Sequence, residues 1–153
     1  MTEMEHLVDV VRKLRAEDGC PWDRKQTHES LKPEVVEEAA EVIGSINILN
    51  KTGDSRNLQE ELGDLLLQVV MQSQIAEEEG LFNLEDVVRT VNEKMIRRHP
   101  HVFQKGQSEK AVGWEEIKAK EHEGREWEKD YLPGAFVEAG KLIDQAKKRK
   151  GIT

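Results

Sequence analysis

Two acidic clusters stand 23 positions apart in this sequence, Glu37-Glu38-Ala39-Ala40-Glu41 and Glu60-Glu61-Leu62-Gly63-Asp64. Moved forward by 23 positions, Glu37 falls on Glu60, Glu38 on Glu61, Glu41 on Asp64 and Val42 on Leu65. On a helix, Glu38 and Glu41 lie on one flank, one turn apart, and Glu61 and Asp64 occupy the equivalent flank of the second cluster. Two such helices side by side point four carboxylates into one space. Like charges that close repel strongly, so a cation must sit among them or some must hold protons. Oxygen-only ligation with no nearby His or Cys suits Mg²⁺ or Mn²⁺. The plain alternative is a pair of Glu-rich solvated faces. Two matched clusters, each beside an apolar stripe, favour the metal reading.

The elements that must position these residues follow from apolar periodicity. Val35, Ala39, Val42, Ile46 and Leu49 form one helical stripe, and Leu58, Leu62, Leu65 and Val69 another. The spacing predicts a helix from Pro33 to about Asn50, capped by Ser30 or Thr27, and a second from about Arg56 to Glu79. The two helices are expected to pack by their stripes, with Gly63 allowing a close approach. Leu7, Val10, Val11 and Leu14 predict a helix over 4–16. It is broken by Gly19 and Pro21, which leaves Trp22 in a loop, either as a core plug or as a platform for stacking. Asn83 opens a further helix that Pro100 ends. Lys94 and Arg98 share a face near that end. They serve either the helix dipole or a polyphosphate clamp. Residues 104–113 read as a polar loop. Trp114 opens a charged helix to about Lys129, with Lys118 one turn on. Leu132-Pro133-Gly134 reads as a break before a last helix, Ala135 to Lys150.

A chain of 153 residues makes one domain of ordinary size. Charged residues are 35% and apolar residues 37%, as suits a helical protein. A net charge of −8 argues against a general nucleic-acid or anionic-membrane surface. Cys20 stands alone, which fits a reducing cytoplasm. The polar, acidic start of the chain is unlike a signal peptide, and no apolar run approaches transmembrane length. There is no nucleophile–base triad, Gly-rich phosphate loop or CxxC. A di-iron bundle needs paired ExxH motifs, and only Glu3-x-x-His6 fits.

The sequence resembles the MazG family of nucleoside triphosphate pyrophosphohydrolases over roughly residues 5–122. The motifs that carry the likeness are Gly19-Cys20-Pro21-Trp22-Asp23, Gln26-Thr27-His28-Glu29-Ser30-Leu31, Glu37-Glu38-x-x-Glu41 with Glu61-x-x-Asp64, Lys94-Met95-Ile96-Arg97-Arg98-His99-Pro100-His101-Val102-Phe103, and Trp114-x-x-x-Lys118. The resemblance implies an all-α, four-helix-bundle-like fold completed by dimerisation, as a homodimer or a dimer of dimers. It implies Mg²⁺, with Mn²⁺ as a substitute, held by Glu38, Glu41, Glu61 and Asp64. It implies hydrolysis of NTP or dNTP between the α and β phosphates, which clears surplus nucleotides. Lys94, Arg98 and Lys118 would then contact phosphates. Trp114 and, less directly, Trp22 would hold the nucleoside. On the residues themselves, Glu37 or Glu60 could orient a ligand or act as base, but their angular positions face away from the flank that Glu38 and Glu61 share.

The likeness assigns 1–130 to a MazG-like domain and 131–153 to a tail resembling an interdomain connector. Many relatives carry two such domains in tandem. Ala40 stands where the family often has an aromatic, and the family's aromatic near Met71 is absent. The alternative function is a catalytically weak nucleotide-binding or interaction module. Leu66 and Val70 lie outside the main stripe, so a second copy is expected to cover them.

Overall fold

The computed structural model describes residues 1–104 and 113–152. Among these residues the fold is all-α, with no strand. The helices are α1 (Glu3–Arg15), α2 (Pro21–Arg24), α3 (Lys32–Thr52), α4 (Arg56–Glu78), α5 (Leu84–Arg98), α6 (Pro100–Phe103), α7 (Trp114–Glu121) and α8 (Leu132–Lys150), with a 3₁₀ turn at Glu126–Tyr131. No helix among the described residues is long and apolar enough to cross a membrane. The chain forms two compact units. One joins Met1–Leu84 to Val137–Thr153, and the other is Glu85–Phe136.

In the first unit the α3–α4 hairpin dominates. Gly53 closes α3 in the left-handed region at φ 77°, and its N–H reaches the Leu49 carbonyl at 2.8 Å. Asp54 Oδ1 then accepts the Arg56 N–H at 3.0 Å and starts α4. The apolar core lies at the far end of α4. Val70, Met71 and Ile75 are buried with Val11 of α1 and with Leu31, and Leu7, Val8, Leu67 and Leu84 pack around them. One end of α4 is therefore mainly apolar, with Gln68 and Ser73 buried beside the apolar residues, and the other end carries the acids.

Arg15 ties α1 to this core end. Its side chain is 8% exposed, donates to Glu78 at 2.7 Å, and donates to the Asp23 and Gln26 carbonyls at 2.7 and 3.0 Å. The α1–α2 corner is tight. A Cβ on Gly19 would stand 2.3 Å from the Lys13 carbonyl oxygen, so only glycine fits there.

Several expectations need correction. Ser30 and Thr27 do not cap α3, which has no side-chain cap. They bond reciprocally to each other's N–H at 2.8 and 3.0 Å and close the turn before it. A Cβ at Gly63 would meet nothing within 4 Å, so no close approach explains this residue. Trp22 sits on the one-turn α2, not in a loop, and is 60% exposed, so it is no core plug of this chain. The charged helix expected to run to Lys129 stops at Glu121. Gly124, at φ 82°, turns the chain beyond it. α8 starts at Leu132 because Pro133 lies in its first turn, where proline's missing N–H costs nothing. Val70 is 2% exposed and belongs to the core, while Leu66 is 36% exposed.

The largest correction concerns the hairpin face. Val35, Ile46, Leu62 and Val69 of the predicted stripes are 37–48% exposed. Val42, Leu49, Leu58 and Leu65 of the same stripes are half-buried, and α3 and α4 also meet through the flank that carries the carboxylates, where Ser45 is buried. The loop between them is short, so the helices run antiparallel, and Ser45 bonds across the interface to Asn57.

The candidate metal centre

Glu38 and Glu41 enter the site from α3, and Glu61 and Asp64 from α4. Each offers one carboxylate oxygen, and these four atoms lie within 4.8 Å of one another. Antiparallel register produces the meeting. Ser45 faces Asn57, one turn on Glu41 faces Glu61, and nearly one turn further Glu38 faces Asp64. Ser45 sets the first row. Its Oγ lies 2.8 Å from both Asn57 Oδ1 and the Glu41 carbonyl oxygen. Its residue is 1% exposed, so this polar contact is made away from water.

The electrostatics carry the cost of that proximity. Burial pushes the Glu38 carboxyl up to about 7, aided by its hydrogen bond with Glu41 and by the charges of Glu41, Asp64 and Glu61. Glu61 is raised above its ordinary value, first by its hydrogen bond with Glu41 and then by burial. Glu41 moves the other way. Lys150 of α8 lies 2.6 Å from its Oε1 and holds it below the ordinary value.

The residues fit a divalent cation. Glu38 Oε2 and Glu61 Oε2 are buried and have no hydrogen-bond partner. Buried, unsatisfied carboxylate oxygens are expensive unless something binds them. Four oxygens within this span also match a hard cation with ligands at about 2.1 Å.

The remaining sequence candidates fall in two places. Glu37 pairs with Arg149 at 3.4 Å and Lys150 at 3.1 Å, so it does not offer a free carboxylate here. Glu60 is exposed on α4. Trp22 lies on the first unit.

Lys94, Arg98, Trp114 and Lys118 all belong to the second unit. There Arg98 is held rather than free. It donates to Glu121 at 2.7 Å, both side chains are 11% exposed, and its guanidinium lies 5.1 Å over the Trp114 ring. Arg97 joins the same carboxylate at 2.9 Å, and His99 meets Trp114 edge-on. Lys94 lines a cavity of about 810 Å³ together with Arg97, Ile117, Lys120 and Arg125. Glu121 and Glu128 line it as well and pair with Arg97 at 2.9 Å and Arg125 at 3.2 Å, so the lining is of mixed charge. Lys118, half-buried on α7, is not among the lining residues. The polar loop expected at 104–113 lies largely outside the described residues.

Sequence reasoning missed four participants: Lys150, Arg149, the Ser45–Asn57 contact and Glu121. Ser45 and Asn57 could have been found. Each stands one turn from a candidate ligand on its own helix, and both are small and polar. Lys150 carried no such signal, because 109 positions separate it from Glu41.

A helical hairpin with four converging carboxylates defines an all-α protein with a candidate divalent-cation centre. The family model for the MazG nucleotide pyrophosphohydrolase domain matches residues 26–103, and the chain belongs to that family. It is 56% identical over 117 residues to the nucleoside triphosphate pyrophosphohydrolase/pyrophosphatase MazG of Thermotoga maritima, covering 76% of this chain and 44% of that protein. It is 40% identical over 126 residues to the nucleoside triphosphate pyrophosphohydrolase of Escherichia coli K12, covering 79% and 46%. It is 35% identical over 153 residues to the enzyme of the same name from Mycobacterium tuberculosis, covering 94% and 46%. The chain spans about half the length of these relatives.

Proposed function

We propose that this chain is a Mg²⁺-dependent nucleoside triphosphate pyrophosphohydrolase, cleaving NTP or dNTP between the α and β phosphates to the monophosphate and pyrophosphate. One observation carries the reading: four carboxylates converge, and two of their oxygens are buried without partners. Glu38, Glu41, Glu61 and Asp64 would hold Mg²⁺, or Mn²⁺ in its place. A cation held there supplies charge neutralisation and Lewis-acid activation for attack at phosphorus.

The chain's own part is positioning and charge. Phosphoryl transfer needs little covalent work from a protein, so groups fixed before reaction lower the barrier most. The Ser45–Asn57 contact fixes the hairpin register. Lys94, Arg98 and Lys118 would contact phosphate, as the family motifs imply. Arg98 would have to exchange Glu121 for phosphate, or else act by holding the Trp114 ring for the nucleoside.

The relatives' names support the substrate class, since they are named for action on nucleoside triphosphates. Residues 131–153 read as a connector-like tail, and the protein as a cytoplasmic homo-oligomer. The test is incubation with a panel of NTPs and dNTPs plus Mg²⁺, following pyrophosphate and monophosphate. Release of orthophosphate, or no turnover with any nucleotide, would sink the reading. Calorimetric binding of NTP without any product would favour a binding module instead.

A further inference from the structure

The last turns of α8 reach the carboxylate cluster, and the proposed reaction makes no use of them. Lys150 Nζ lies 2.6 Å from Glu41 Oε1 and 3.1 Å from Glu37 Oε1. Arg149 reaches Glu37 Oε2 at 3.4 Å, and the Glu37 side chain is only 15% exposed. This is a supported contact rather than a stray tail. One helical face carries Glu138, Ala139, Leu142, Ala146 and Arg149–Lys150, spaced by three or four residues. Ala146 is buried, and Ala139 and Leu142 are half-buried. Glu138 accepts from Lys32 of α3 at 3.2 Å, which fixes the other end of this face.

The chemistry of the contact is competitive. A protonated lysine has no lone pair for a metal, so Lys150 cannot join the ligand set. It is a compact positive charge placed against one of the four candidate ligands. Without a metal it offsets part of the repulsion among the carboxylates. With a divalent cation among those carboxylates, two positive charges would stand close to Glu41 and repel each other.

We propose that the basic end of α8 is a counter-ion latch that competes with the divalent cation for Glu41 and is released when the cation binds. The proposal rests on the metal reading of Glu38, Glu41, Glu61 and Asp64. It makes α8 a regulatory element, because whatever holds or withdraws this helix sets the cation affinity of the hairpin.

The test is titration of Mn²⁺ into the full chain by calorimetry, comparing wild type with Lys150→Met, Lys150→Gln and Lys150→Arg. Removing the charge should tighten Mn²⁺ binding by about three- to tenfold, as expected for one partly exposed charge near the site. Lys150→Arg should stay within about twofold of wild type, since it keeps the charge. Hydrogen exchange at residues 146–150 should quicken in wild type when Mn²⁺ is added. Saturable binding by wild type with equal or weaker binding by Lys150→Met and Lys150→Gln overturns the latch and leaves the metal reading intact. Uptake by the uncharged variants alone supports the latch. Failure of every protein to bind Mn²⁺ overturns the metal reading, and the latch falls with it.

Discussion

At Glu38 the protein keeps a carboxyl group whose ionisation its surroundings oppose. Burial and three neighbouring acids push it up to about 7, and one of its oxygens has no partner. Such a residue is held against stability, as function-bearing groups often are. Glu38→Gln keeps the shape and removes the charge. In the absence of metal it should stabilise the fold by about 0.5–2 kcal/mol. The thermal midpoint should then rise by about 2–4 °C per kcal/mol at this chain length. The same substitution, or Asp64→Asn, should lower pyrophosphate release at least about 100-fold, the upper end of what losing a mere supporting group costs. Helical circular dichroism should be unchanged in both variants. Retained turnover in either would remove that residue from the metal set.

Elements decide whether those residues meet. Two apolar stripes and two acidic flanks are legible on α3 and α4, because periodicity is set by residues a few positions apart. The stripes do not tell which flank faces the partner helix. The short turn at Gly53–Ser55 and the Ser45–Asn57 contact settle that, and they place the acids inside the pair. Ser45→Ala leaves Asn57 short of a buried partner and should cost about 1–3 kcal/mol by denaturant unfolding. Because it loosens register rather than removing a ligand, it should weaken Mn²⁺ binding without abolishing it, and Ser45→Thr should recover much of the loss.

In the second unit, Glu121 joins α7 to the end of α5. Arg98, with Arg97, holds its carboxyl down to about 2. The group's ordinary value is 4.5, so above that pH the ion pair contributes in full. Between 4.5 and about 2 the unfolded chain takes up the proton first, and the contribution falls away as pH drops. Melting curves of wild type and Glu121→Gln should therefore differ most near neutral pH and converge as pH approaches 2. A gap that persists at low pH would show that Glu121 acts by packing alone.

At the scale of the whole molecule, one chain leaves much of the hairpin's apolar surface uncovered. Ile43 is 62% exposed and Leu62 48%, with Ile46, Ile48, Leu66 and Val69 also open. Scattered apolar residues are ordinary on a surface, but Ile43 and Ile46 share one face of α3 and Leu62, Leu66 and Val69 one face of α4, the kind of exposure that partners cover. Its symmetric use by a second copy would give a dimer with an apolar interface. Light scattering at micromolar concentration should give at least twice the mass of one chain. Ile43→Glu with Leu62→Glu should shift it to one. A wild-type monomer would count against the homo-oligomer.

The sequence by itself determined the helical class, the two matched acidic pairs, the basic pair Lys94 and Arg98 near the end of α5, and the motifs of the MazG family. Each of these is written in residues a few positions apart or in short runs. Only the tertiary structure decided that α3 and α4 meet by their acidic flank, that the core gathers at the far end of α4, and that Val70 is inside it while Trp22 is not. Only it brought Lys150 to Glu41 and Glu121 to Arg98. Those outcomes depend on how elements pack, and a basic residue at a helix end has the same local spacing whether it ends in solvent or against a carboxylate. The four carboxylates could be listed from the sequence. That their charges are partly met by a lysine 109 positions away is a property of the folded chain alone.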